Sequence, residues 1–123
     1  MPVTLTVCST CKLAPGEAVD AAGRSGGALL ADAIEADARD RPDRPRIVRH
    51  ACLWACAQSC AILIEGDGRT GYLAGSFTPT ATAATAILDW AAAYGASADG
   101  TVRYALWPDG IKGHFIARIP KVQ

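Results

Sequence analysis

A chain of 123 residues is long enough for one domain with its own core and too short for two of ordinary size. Twelve basic residues balance twelve acidic ones, which excludes a bulk electrostatic pull toward nucleic acid or an anionic membrane. No apolar run approaches the roughly 20 residues needed to span a bilayer, and the opening Met1-Pro2-Val3-Thr4 lacks the basic and long apolar regions of a secretory leader.

The expected location is therefore the cytoplasm, where thiols stay reduced. A chain of this size buries roughly two-thirds of its unfolded surface, so its five cysteines are not needed merely to hold it shut. Their odd number forbids complete internal pairing. The 25 alanines favour helices packed closely on a sheet over a core of large side chains.

Val3 to Val7 alternates apolar residues with threonine and reads as a strand ending at Cys8. Pro15-Gly16 breaks the chain, and Gly23, Gly26 and Gly27 keep it loose. A helix is expected over about 26–39, with Leu30, Ala33, Ile34 and Asp37 on one face. Pro42 and Pro45 end it, because proline cannot continue a helix. Ile47-Val48 begins a second strand that runs into His50. Strand, helix and strand in succession imply a crossover connection and a parallel pair. Both strands would then finish at the same sheet edge, which brings Cys8 and Cys11 beside Cys52 and Cys56.

Ala61 to Glu65 is a continuous apolar strand, Gly66-Asp67-Gly68 a hairpin turn, and Thr70 to Ala74 the returning strand. Thr78-Pro79 is expected to cap a helix with Ala84, Ile87, Leu88 and Ala91 buried, ended by Gly95. Residues 96–123 read as an irregular C-terminal extension of the single domain. Within it Val102 to Leu106 is an expected strand, Trp107 to Gly110 a turn, and His114 to Ile119 a further strand. Trp107 and Phe115 are candidates for a homodimer contact. The fold class expected is α/β, a small mixed sheet of a parallel pair plus an antiparallel hairpin with flanking helices.

The chemistry lies in two cysteine groups. Cys8-Ser9-Thr10-Cys11 is a CxxC, whose two-residue gap lets both sulfurs chelate one ion or one cluster edge. Cys52, Cys56 and Cys60 recur at every fourth position. This is neither the bacterial nor the plant-type ferredoxin spacing, and it is looser than the paired CxxC knuckles of zinc ribbons. Thiolates converging on a single metal centre explain both groups. Spacing alone does not choose between zinc and an iron–sulfur cluster.

The stretch Cys52-Leu53-Trp54-Ala55-Cys56, followed by Ile62-Leu63-Ile64, Tyr72 and a helix near 80–94, resembles the second half of the thioredoxin-like [2Fe-2S] ferredoxins. The whole chain is more similar still to the DUF1636 family of predicted metal-binding proteins. That resemblance rests on Val7-Cys8-x-x-Cys11, the Cys52-Leu53-x-x-Cys56-x-x-x-Cys60 centre, Tyr72 and the ending Ala117-Arg118-Ile119-Pro120. The resemblances imply a thioredoxin-like fold and one cluster, most simply [2Fe-2S], held by Cys8, Cys11, Cys52 and Cys56. Cys60 is the alternative fourth ligand, behind Cys11. One-electron transfer or redox sensing with a redox partner protein follows, rather than substrate turnover. No Ser/His/Asp set, carboxylate pair or phosphate loop offers other chemistry. A zinc-binding structural or metal-delivery module is the alternative, and the family resemblance hints at a link to cobalamin biosynthesis.

Other residues have plainer readings. His50 can ligate metal or polarise a thiolate, but an ordinary strand-end histidine is the better reading. Trp54 could shield the centre from water. Lys12 and Arg49 could offset cluster charge, and the run from Arg39 to Arg49 reads as a solvated linker. A dithiol oxidoreductase ranks third, because Ser59-Cys60 stands where such enzymes place a proline and because Cys52 and Cys56 would be left unexplained.

Overall fold

The computed structural model describes residues 3–8, 21, 23–50, 60–66 and 68–119. Among them, strand β1 (Val3–Cys8) leads to helix α1 (Gly26–Ala38) and strand β2 (Arg46–His50). Strands β3 (Ile62–Gly66) and β4 (Gly71–Ala74), helix α2 (Ala81–Ala96) and strand β5 (Phe115–Ile119) follow. The fold is mixed α/β. One open sheet runs in the order β2-β1-β3-β4-β5, with β1 and β2 parallel and every other pair antiparallel.

Alternation along the strands decides what each face does. Leu5 and Val7 of β1, Ile62 and Ile64 of β3, and Tyr72 and Ala74 of β4 are buried in one core with Leu30 and Ile34 of α1 and Ile87 and Trp90 of α2. The two helices pack on each other and both touch β1. Thr4, Thr6 and Cys8 alternate to the other face. The largely apolar run of β1 is what a central strand needs, since it is covered by neighbours on both edges.

Helix α1 starts where Ser25 Oγ accepts from the Ala28 N–H at 3.1 Å. This satisfies a donor that the first turn leaves over. Helix α2 is capped by Thr80, whose Oγ1 accepts from the Ala83 N–H at 3.2 Å. The cap expected at Thr78-Pro79 thus falls two residues later. The reason is that the Thr80 N–H donates to the Thr78 carbonyl at 2.8 Å, which turns the chain before the helix begins. The far end runs one residue past Gly95. There the Arg69 guanidinium, itself buried, donates to the carbonyls of Tyr94 at 3.0 Å and Gly95 at 3.3 Å. A cation at this end also suits the helix dipole.

The strand expected over 102–106 is absent. A short 3-10 turn, Tyr104–Leu106, stands in its place. Side chains take the backbone groups a strand partner would have used. The Val102 N–H donates to the Tyr72 hydroxyl at 3.0 Å, and the Trp107 indole N–H donates to the Val102 carbonyl at 2.9 Å. Tyr72 is the node here. Its ring lies 5.2 Å from Trp90 and about 6.1 Å from Tyr94, Trp107 and Phe115, distances at which tilted and edge-on aromatic pairs are favourable. The final strand forms as expected and adds β5 to the edge beside β4. Gly100 closes the turn below Tyr94 with φ +83°, where a Cβ would meet the Thr70 carbonyl oxygen at 2.6 Å.

Tyr72→Phe should leave the buried Val102 N–H without an acceptor. The expected cost is about 1–3 kcal/mol, read as a lower urea midpoint with unchanged slope. An unchanged midpoint would show that the Tyr72 hydroxyl does not hold the 102–107 segment.

Candidate metal centre

Strand direction assembles the site. Because β1 and β2 are parallel and in register, Cys8 lies opposite His50. Because β3 is antiparallel to β1, its beginning meets the end of β1, and the Cys8 N–H donates to the Ala61 carbonyl at 3.0 Å. Cys60 directly precedes that residue. Strands β1 and β2 therefore end, at Cys8 and His50, at the edge where β3 begins two residues after Cys60.

The two cysteines are not joined in a disulfide. Cys8 is 4% exposed and Cys60 wholly buried. Cys60 holds its backbone at φ +57°, in the left-handed region that residues with a Cβ seldom adopt. Among the described residues Ser76 is the other non-glycine to do so. Burial pushes the Cys60 thiol up to about 11, and the neighbouring Cys8 adds to the rise. Two buried thiols thus lie near this edge, Cys8 as the last residue of β1 and Cys60 two residues before β3 and within the core cluster.

The candidate ligands Cys11, Cys52 and Cys56 lie outside the described residues, as do Lys12 and Trp54. The described residues contain no group of three or more His, Cys, Asp or Glu that could hold a metal ion. His50 is exposed, across the register from Cys8. Arg49 alternates to the helical face, where Nε donates to Glu35 at 2.8 Å and a terminal nitrogen to Asp32 at 2.7 Å. Those bonds hold the Asp32 carboxyl below its ordinary value. The Arg49 charge is thereby taken up by α1. His114 is also settled, with Nδ1 2.9 Å from the Gly75 carbonyl oxygen and its ring stacked on Phe77. A surface cavity of about 520 Å³ lined by Val3, Arg46 and Gly95 sits at the opposite end of β1 and has no part in this chemistry.

Cys60 is the residue that spacing alone leaves undecided. Its signal in the sequence is the third beat of the four-residue cysteine repeat. What the repeat does not carry is its placement, buried in the core cluster one residue before the carbonyl that accepts from the Cys8 N–H.

In the metal-free protein the neutral Cys60 thiol is the form that folding favours. Its raised value in the folded state means that this contribution is whole below the ordinary 9.0 and is lost as pH rises through about 11. Thermal unfolding should therefore weaken over that window, and alkylation of Cys60 in the native protein should accelerate across the same range. Fast alkylation well below pH 9 would contradict the burial of this thiol.

No curated protein and no solved structure matches the chain. A family model described as "Protein of unknown function (DUF1636)" matches residues 5–121, from Leu5 within β1 to past the end of β5. With nearly its whole length so matched, the chain belongs to the DUF1636 family.

Proposed function

We propose that this protein binds one iron–sulfur cluster through cysteine thiolates and works in one-electron transfer or redox sensing. The cluster is most simply [2Fe-2S]. The observation that carries this reading is the meeting of three chain ends, Cys8, His50 and Cys60, at one edge of the sheet. Covalent reach does the rest. Cys11 is three residues beyond Cys8, Cys52 two beyond His50, and Cys56 four before Cys60. Along the sequence, each of the other three cysteines is thus near one of these points.

The donors suit the group. Thiolates are the ordinary ligands of such clusters, and burial of the sulfurs is one of the protein's means of setting a potential. When bound, the cluster would supply reversible one-electron chemistry. The chain's own contribution is to hold Cys8 on a hydrogen-bonded strand and to keep Cys8 and Cys60 away from water. The parallel β1–β2 pair joined through α1, followed by the β3–β4 hairpin and α2, supports a thioredoxin-like reading of the fold. In that reading β5 is an addition at the open edge.

Purified without oxygen, the protein should be brown, with visible charge-transfer absorption and matching amounts of iron and acid-labile sulfide. Cys56→Ser should remove most of both. A colourless protein that holds zinc alone after anaerobic reconstitution would replace this reading with that of a zinc module.

A further inference from the structure

We propose that the cavity between the 101–107 segment and strand β5 binds a planar aromatic molecule that carries a negatively charged group. The cavity has a volume of about 480 Å³, and no cysteine lines it, so it is separate from the candidate metal centre. That volume falls in the range of small-molecule sites, which combine apolar walls with a few placed polar groups.

The walls are rings. Tyr72, Tyr104, Trp107 and Phe115 all line the cavity. The Trp107 ring lies 5.0 Å from Tyr104 and 5.5 Å from Phe115, centroid to centroid, so the three form one aromatic surface. Tyr104 is 60% exposed and Phe115 41%, which leaves ring faces in water at a concave place. The surface is already held in shape, because the Trp107 indole and the Tyr72 hydroxyl are both bonded to the Val102 backbone. A flat conjugated ligand covers such faces by offset or edge-on contact, which an aliphatic chain does not match.

Two guanidinium groups set the charge. Arg103 and Arg118 line the same cavity, and both are exposed. Neither is in an ion pair with a carboxylate among the described residues, whereas Arg24, Arg41 and Arg49 each hold an aspartate. Both are placed through Tyr72. Arg118 is its partner in the β4–β5 ladder, and Arg103 follows Val102, whose N–H the Tyr72 hydroxyl accepts. The hydroxyl's own proton has no acceptor among the described residues, which leaves a further donor on the wall. A planar guanidinium pairs with a carboxylate or a phosphate through two parallel bonds and also stacks on rings. Ring walls and two uncommitted cations together select an aromatic anion over a neutral apolar ligand.

The test is calorimetric titration of the whole chain with naphthoate and adenosine monophosphate, each set against its uncharged counterpart, naphthamide or adenosine. At least one acid should bind and quench tryptophan fluorescence, with its neutral counterpart weaker by about tenfold or more. Which acid binds tells a carboxylate ligand from a phosphate one. Arg103→Gln and Arg118→Gln should each weaken that acid about tenfold and leave the far-ultraviolet circular dichroism unchanged, since both side chains are exposed. The comparison of acid with neutral compound in the wild type needs no variant. Equal affinity for the two, unchanged affinity in the double variant, or no binding of any of the four compounds would overturn the proposal. So would a wild-type dimer in sedimentation that Tyr104→Ala dissociates, because a second copy would then fill the cavity.

Discussion

Everything at the candidate centre depends on the position of β1 in the middle of the sheet, with a parallel neighbour on one side and an antiparallel neighbour on the other. A parallel neighbour ends where β1 ends. An antiparallel neighbour begins there. Three separate points of the chain are thereby delivered to one edge by backbone hydrogen bonds alone. No special side-chain interaction is required, and no other place in the described sheet gathers three cysteine-bearing or cysteine-flanking ends in this way. The placement is robust because it is built into the ladder, where each strand residue contributes to holding the register.

The core supports that arrangement from one side. Leu5 and Val7 fix the face of β1 that meets the helices, so the alternate residues, Cys8 included, are turned to the other face. A slip of one residue in the β1–β3 register would carry Cys8 into the helical core and bring Val7 to the opposite face. The apolar alternation thus protects the site as well as the fold. Farther along, the Tyr72 hydroxyl, the Trp107 indole and the Arg69 guanidinium satisfy backbone groups that no strand or helix partner reaches. They anchor the segment between α2 and β5, and so permit a fifth strand to join the sheet after a long irregular stretch.

Much of this was legible in the sequence. The threonine alternation of Val3 to Val7, the glycine-led start of α1, and the Gly66 to Gly68 hairpin each carry a local signal strong enough to read. The parallel pairing of β1 and β2 also followed, from the crossover that an intervening helix imposes. What escaped local reading was set at a distance. Val102 to Leu106 has strand-like residues, but Tyr72, thirty positions away, takes the Val102 N–H and the strand has no partner. Thr78 and Thr80 are equally good caps by type. A single backbone bond, from Thr80 to Thr78, separates them. Arg49 looks like a cation free to meet a cluster until strand alternation turns it to Asp32 and Glu35.

The same distinction governs the cysteines. Spacing describes sulfurs that are close along the chain, and it ranks Cys8 with Cys11 because two residues separate them. Strand pairing describes residues that are close in space, and the bond from the Cys8 N–H to the Ala61 carbonyl brings the residue after Cys60 to the end of β1 from far along the sequence. A residue whose backbone is already held between two strands, as Cys8 is, loses little further freedom on binding, against about 1–2 kcal/mol for each backbone residue that must be newly fixed.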